Sequence, residues 1–573
     1  MRPYIRNFIP AFFLCGLASL LASSKLNYPL TGIDDANIYF VYAKNLAGGH
    51  GFVYNVGGER VEGFTSLLWT LVSALVFRLS AFPEITLWIV NIVLISAGIA
   101  FALDYLQQDF VASQENGGRS KIIWSAAFLI LLVTSPRYIA WNTITLMENG
   151  LWSALLLITT IFVIRVRPSF AAVNFGFIPL SILLLLTRPE SIAWTVVFAA
   201  LLLMRMARAM GIIASLKTLA PSIACIIITL ALLTLFRLQY FGYPLPNTYY
   251  AKVSPSLAYN LAQGINYLAK YSISDPIVLL CIVAIFVSAL HSVSGIFSKR
   301  AERVANDGSF LLPLIAATGL LLPALTGGDH FGSFRLYQNI YPIEILCLLY
   351  FADRVSLRYY QKFGKISQGS GQRGALNFSL ALIAISGLMF SQYSMWNSIK
   401  SELDVEFRMA DYGRKSGAFI QELFEPLRDL PAMGVVTSGG IKYAYSGDVV
   451  DLMGLNNTIM AHNPGDRKGI KNHAAFDIAT FYRLQPTVVW PLVVDEHEWQ
   501  YSESGLKESW ENTEGLRGLF DESKFLKLYT YAKVSRPTVS REGYILVAWF
   551  KKDFLQKLRA DGSFRITQYE YAP

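Results

Sequence analysis

Apolar residues run in long unbroken stretches through the first two-thirds of the chain and in short alternating stretches through the last third. A helix needs about 20 apolar residues to cross the hydrocarbon core of a bilayer. The pattern predicts spans near 8–24, 85–107, 122–136, 149–166, 170–187, 191–207, 219–240, 276–296, 310–325, 338–352 and 377–393. The first follows Arg2 and Arg6 and has the layout of a signal peptide. It reads as an uncleaved anchor, because the segment behind it is dense in working polar groups. Beyond residue 393, strand-like runs at Met433–Thr437, Val449–Met453, Thr487–Leu492 and Tyr544–Phe550 alternate with helical ones such as Ala474–Leu484. The expected fold is therefore an α-helical polytopic membrane protein with about 11 transmembrane helices over 1–393 and a C-terminal extracytoplasmic α/β domain over 394–573.

The run at 67–82 decides the topology. If it spans, every later loop changes side. Left out of the count, it gives inner segments that hold seventeen Lys and Arg, from Arg2 and Arg6 through Arg119, Arg165, Arg205, Lys299, Arg300, Arg303, Arg354 and Lys365 to Arg373. The outer loops before residue 394 then hold eight. Cytoplasmic loops carry the excess of basic residues, so 67–82 reads as a helix lying at the outer interface with Arg78 snorkelling.

Composition narrows the class. Of 573 residues, 53% are hydrophobic and 16% charged, where a soluble domain has roughly 25% charged. The mean hydropathy is +0.40. Such a chain is neither disordered nor a soluble enzyme with a surface that polar residues can cover. The net charge of +9 belongs to topology and not to nucleic-acid binding. Cys15, Cys225, Cys281 and Cys347 all lie in apolar stretches, so the C-terminal domain has no disulfide. No Cys/His cluster suggests structural zinc, and no internal repeat suggests a transporter built from inverted halves.

The outer loops carry the candidate chemistry. In the first, over 25–66, Asp34 and Asp35 precede Ile38, Val41, Tyr42 and Leu46 at helical spacing. One acid there serves as an N-cap; a second adjacent acid near bilayer level costs desolvation unless it has a task. Further polar groups stand at Met147-Glu148-Asn149, Thr187-Arg188-Pro189-Glu190, Pro246-Asn247-Thr248-Tyr249-Tyr250-Ala251-Lys252 and Gly327-Gly328-Asp329-His330 through Arg335. On this topology all face the same side. Pairing of Arg188 with Glu190, and of Asp329 with Arg335, is what plain helix ends would produce. Four such loops together point instead to a reaction on a lipid-borne phosphate. A carboxylate can take a proton from an alcohol, and Arg or Lys can hold the phosphate that leaves.

The residues of the first loop resemble a known family. Asp34-Asp35, the aromatics Tyr39, Phe40 and Tyr42, Gly49-His50-Gly51, Glu59-Arg60-Val61-Glu62-Gly63 and Trp69 resemble the first extracytoplasmic loop of bacterial GT-C glycosyltransferases. The branch is that of the terminal β-(1→2)-arabinofuranosyltransferases and their relatives. LTRPE at 186–190, PNTYYAK at 246–252, GGDHFGSFR at 327–335 and VVDLMGLN at 449–456 extend the likeness. The chain departs from it at Met147, where relatives commonly have Gly, and at Asn37, where an aromatic is common.

The resemblance implies an inverting enzyme of the bacterial cytoplasmic membrane. It would move a monosaccharide from a polyprenyl-phosphate donor to an acceptor hydroxyl on a cell-envelope glycan, lipid or protein. Asp34 is the first choice for general base, with Asp35 next. Arg188, Lys252 and Arg335 are candidates for the donor phosphate. Glu62, Glu190, Asp329 and His330 are candidates for orienting sugar hydroxyls. Some GT-C enzymes use a divalent metal, and no ligand set in this sequence demands one. The alternatives are a flippase of lipid-linked sugars, which would place its charges in mid-span, and a non-catalytic envelope or motility factor that keeps the fold. The expected topology has a direct measurement. A phosphatase reporter fused after residue 400 is expected to be active and one fused within 354–375 inactive; the reverse pattern means that 67–82 spans.

Overall fold

The computed structural model describes residues 2–108, 117–167, 169–296, 308–363, 370–465, 467, 474–537, 539, 541 and 543–572. Lys299, Arg300, Arg303 and Lys365, counted above for topology, lie outside the described residues. The chain forms two compact units. One comprises 1–30, 84–232 and 258–404, and the other 31–83, 233–257 and 405–573.

Among the described residues, seven helices are long and apolar enough to cross a membrane: Tyr4–Leu26, Pro83–Gln108, Phe170–Thr187, Ser191–Met210, Ile212–Tyr240, Pro276–Val293 and Gly308–Leu325. The protein is thus a multi-pass membrane protein. An eighth candidate is broken: Lys121–Val133 and Pro136–Ile144 meet at a bend of 69°. The cause is local. Pro136 has no N–H to continue the helix, and the Ser135 side chain accepts from the Tyr138 N–H to start a new one. The expected span at 149–166 is a helix of 17 residues, Asn149–Arg165. That at 338–352 falls in Tyr341–Phe363, which carries Glu344 in its first turn. That at 377–393 is part of one long helix, Ser370–Leu423, which runs on into the C-terminal region. Residues 67–82 form a helix of only 13 residues, Leu67–Leu79, with Leu71, Leu75 and Leu79 exposed along one face.

The C-terminal part of the second unit contains a six-stranded sheet ordered β2-β1-β3-β5-β4-β6. Its strands are β1 Met433–Val435, β2 Val449–Asp451, β3 Val488–Asp495, β4 Tyr529–Ser535, β5 Tyr544–Lys551 and β6 Arg565–Gln568. β1 pairs with β2 and β3 in parallel; the remaining pairs are antiparallel. The four expected strands are present. β4 and β6 were not expected: β6 is four residues long with three of them exposed, too short to show an alternation. β3 carries a register shift between Val489 and Leu492, where Trp490 has φ 53° and Pro491 lacks a ladder donor. The expected helix at Ala474–Leu484 is Ile478–Leu484, and the Asp477 side chain caps it by accepting from the Thr480 N–H.

One face of this sheet is covered by an aromatic core. Phe525 stacks on Tyr529 at 4.7 Å and lies 5.1 Å from Trp549, 5.7 Å from Phe520 and 5.8 Å from Phe481. Truncating a buried Phe to Ala typically costs about 3–5 kcal/mol, because the cavity collapses only in part. Phe525→Ala is expected to destabilise the full-length protein by about that amount, read as a lowered melting temperature in detergent. A near wild-type melt would show that this cluster does not carry the domain's stability.

Candidate functional site

In the second unit the first loop folds against the C-terminal sheet. Asn55 acts as an extra edge partner of β2: its amide donates to the Val449 carbonyl at 3.0 Å and accepts from the Val449 N–H at 3.0 Å. The Tyr54 hydroxyl donates to the Ser438 carbonyl at 2.7 Å. The Thr458 N–H donates to the Glu59 carboxylate at 3.1 Å. The Asn247 amide donates to the carbonyls of Gly454 and Leu455, and its N–H to the Glu62 carbonyl. The motifs ERVEG, PNTYYAK and VVDLMGLN, far apart in sequence, therefore meet in one unit.

The helix Asp34–Ala47 begins with the acid pair. Its N-cap is Ile33, which offers no side-chain cap, so neither acid plays the expected capping role. Both stand in the first turn, where the helix dipole favours negative charge. The two differ in surroundings. Asp34 is buried, and its oxygens accept from the backbone N–H groups of Gly439, at 3.0 Å, and Gly440, at 2.8 Å. Only glycine fits at 439: a Cβ there would lie 2.0 Å from the Asp34 carbonyl oxygen. Burial raises the Asp34 pKa to about 6, with Asp35 and Asp451 adding repulsion and the two glycine N–H groups opposing it. Asp35 is partly exposed and lies 3.6 Å from the Lys252 ammonium, itself partly exposed.

Behind Asp34 sits a second buried acid, Asp451 at the end of β2. It accepts from the N–H groups of Met453 and Asn456, the Asn456 amide and the Ser438 hydroxyl. Burial still pushes its carboxyl up. Asn37, where the chain departs from the resembled family's common aromatic, donates to the Thr31 and Ile33 carbonyls and accepts from the Arg414 guanidinium at 2.6 Å. It ties the helix to the C-terminal region by polarity instead of packing.

The remaining candidates fall into ion pairs. Glu62 is buried, and its carboxylate takes three hydrogen bonds of 2.8–3.1 Å from Arg237. Burial raises its pKa against the pull of that guanidinium. Arg237 lies inside an apolar run, which hides its role at the level of sequence. In the membrane unit, Arg188 is held between two acids, 2.5 Å from Glu148 and 2.7 Å from Glu190, over the Trp152 ring. Burial alone would raise the Glu190 carboxyl; Arg188, with Arg335 adding to it, brings it below its usual range. Arg335 binds Asp329 at 2.6 Å and stacks on Phe331 at 4.2 Å. Asp329 also accepts from the His330 N–H and lies 3.3 Å from His330 Nδ1. A narrow apolar cleft lined by Trp152, Trp194, Leu322, Pro323 and Ile340 opens beside Glu190. The structure thus groups Asp34, Asp35, Glu62 and Lys252 in one unit, and Arg188, Glu190, Asp329, His330 and Arg335 in the other. Among the described residues, no three His, Cys, Asp or Glu side chains are placed to hold a metal ion.

No protein-family model and no curated protein matches the chain. Among solved structures it is similar to ArnT from Cupriavidus metallidurans bound to undecaprenyl phosphate. The identity is 12% and the TM-score 0.48, over 94% of this chain and 97% of that one. It is also similar to the apo state of the same protein, at 13% identity and TM-score 0.46 with the same coverage.

The environment of Asp34 makes stability depend on pH. A carboxyl raised above its unfolded value near 3.9 stabilises the fold while protonated. That contribution is complete below about pH 4 and is lost as pH rises through about 6. Asp34→Asn has no such titration. The melting temperature of wild type minus that of Asp34→Asn is expected to shrink from pH 5 to pH 7. A difference that is flat or grows would mean that the Asp34 carboxyl is ionised throughout.

Proposed function

We propose that the chain is a membrane glycosyltransferase. It moves a monosaccharide from a polyprenyl-phosphate donor to an acceptor hydroxyl of the cell envelope, at the outer face of the bacterial cytoplasmic membrane. The observation that carries this reading is the Asp35–Lys252 pair: a partly exposed carboxylate 3.6 Å from a partly exposed ammonium. Both lie in segments whose residues carry the family resemblance, and the pair stands next to an acid fixed by backbone N–H groups.

In this reading Asp35 takes the proton of the acceptor hydroxyl. The acceptor oxygen forms a bond to the anomeric carbon of the donor sugar. The bond from that carbon to the phosphate oxygen breaks, and the electron pair leaves on the phosphate. Lys252 offers the positive charge that favours this departure. One displacement inverts the anomeric configuration. Asp34, with both oxygens engaged by Gly439 and Gly440, acts as the positioning residue, so the base role moves from the first acid of the pair to the second. Arg188 and Arg335 already hold carboxylates. A phosphate role for them requires that Glu148, Glu190 or Asp329 give way, which leaves Lys252 as the leading phosphate partner. Glu62 is committed to Arg237 and serves to place the 246–252 segment. Glu190, Asp329 and His330 lie in the other unit and are given no part in this step.

Purified protein incubated with a panel of radiolabelled polyprenyl-phosphate sugars tests the reading. A positioned base contributes about 10²–10⁴-fold, so Asp35→Asn is expected to lose that much transfer while still binding donor. Lys252→Met is expected to weaken both donor binding and transfer. Near wild-type transfer by Asp35→Asn would return the base role to Asp34, and no transfer from any donor by wild type would remove the enzyme reading.

A further inference from the structure

The helix Leu257–Ser272 is amphipathic in the sense opposite to a helix in water. Its inward face is Asn260, Gly264, Tyr267 and Tyr271, all buried. Its outward face is mostly apolar: Leu257 is 76% exposed, Leu261 39%, Ile265 56% and, just past the end, Ile273 81%, with Asn266 and Lys270 exposed at its polar edge. Ala258, Ala262 and Ala269 lie exposed between them. The helix has no acid, and Lys270 is its one charged residue. Sixteen residues reach about 24 Å at 1.5 Å per residue, short of a hydrocarbon core of about 30 Å, and Asn260, Gln263 and Asn266 make it too polar to span.

Two attachments fix its level. At its middle, Gly264 is pressed onto the end of the membrane helix Leu312–Leu325; a Cβ at 264 would lie 1.7 Å from the Ala324 carbonyl oxygen. On that membrane helix Leu321 and Leu325 are more than half exposed. At its C-terminal end only Ile273, Ser274 and Asp275 separate it from the membrane helix Pro276–Ile296, whose Leu279, Leu280 and Val283 are about half exposed. The apolar stripe therefore stands at the depth where two lipid-facing helices end.

We propose that the 257–272 helix is an interfacial membrane anchor, with Leu257, Leu261, Ile265 and Ile273 seated in the hydrocarbon of one bilayer leaflet. Burial of an apolar face at the headgroup boundary is how such helices bind, and water is the poorer solvent for this stripe. The inward face then has a fixed support. Tyr271 stacks on Tyr337 at 4.1 Å and Tyr267 on the same ring at 5.2 Å, and both lie 5.5 Å from Phe334. The Tyr271 hydroxyl donates to Glu344 at 2.6 Å. These rings bracket a loop in which Ser333 and Phe334 hold φ values of 57° and 55°. Non-glycine residues keep such a backbone only where their surroundings over-determine it. The anchor thus sits behind the loop that carries Asp329 and Arg335. The inference does not depend on the transferase reading.

Spin labels test it. Leu261→Cys and Ile265→Cys, each in a Cys225→Ser background, are placed in the full-length protein in phospholipid nanodiscs, with Lys557→Cys as the control in the C-terminal domain. Power saturation compares collision with oxygen, which concentrates in hydrocarbon, and with a water-soluble nickel chelate. Labels at 261 and 265 are expected to collide more with oxygen than with nickel, and the control label more with nickel. Nickel collision equal to or above oxygen at both positions would place the stripe in water and overturn the proposal. Shielding from both probes would mean a protein partner covers it, and would overturn it equally. If either variant fails to insert, Leu257→Cys reads the same stripe with the same outcomes.

Discussion

A carboxylate held by two backbone N–H groups ties the second unit together. Asp34 comes from the first loop, Gly439 and Gly440 from the C-terminal region, and the close approach allows no side chain at 439. Hydrogen bonds to a charged acceptor are roughly twice as strong as neutral ones, and their loss would leave a buried charge without partners. Through this contact the 34–47 helix takes its place, and with it Asp35. Asn55 at the β2 edge, Tyr54 at Ser438 and Asn247 at Gly454 then close the same unit from three further directions. The partly exposed carboxylate of Asp35 is placed by the fixed one beside it.

The membrane unit follows a different rule. Three of its arginines near helix ends are held by acids: Arg188 lies between Glu148 and Glu190, Arg335 against Asp329, and Arg137 against Glu402 at 2.7 Å. A buried pair is weak evidence for stability, while removal of one partner is expensive, because the other charge is left in low dielectric. Arg188 and Arg335 are therefore built into the scaffold first, and any anion that reaches them competes with a carboxylate. Lys252 differs in being partly exposed and at a longer distance from its acid, so it is bound less firmly into the scaffold than Arg188 and Arg335.

Much of this was legible from the chain alone. Long apolar runs need no tertiary information, since a helix in lipid must satisfy its own backbone and be long enough to cross; the spans at 85–107, 170–187 and 191–207 match helices Pro83–Gln108, Phe170–Thr187 and Ser191–Met210. β1, β2, β3 and β5 announced themselves by β-branched and aromatic runs. β6 did not, because a short edge strand has almost no pattern. The expected span at 122–136 ends at the Ser135-Pro136 bend; what the apolar pattern did not show is that the chain continues as helix to Ile144.

For the candidate site, the sequence determined which residue types stand in the loops: the acid pair, the basic groups and the motifs around them follow from local composition. Their pairing came only from tertiary structure. Arg237 looks like an intruder in an apolar helix until Glu62 is seen beside it. Asp34 and Asp35 are equivalent as letters, and become different when one meets the glycine N–H groups of a segment about four hundred residues away. The physical reason is that desolvation and hydrogen-bond satisfaction are properties of a three-dimensional environment. Sequence spacing reports which groups exist and on which local element; it carries no information about which distant backbone will take up a carboxylate's lone pairs and which carboxylate will instead meet a lysine from another loop.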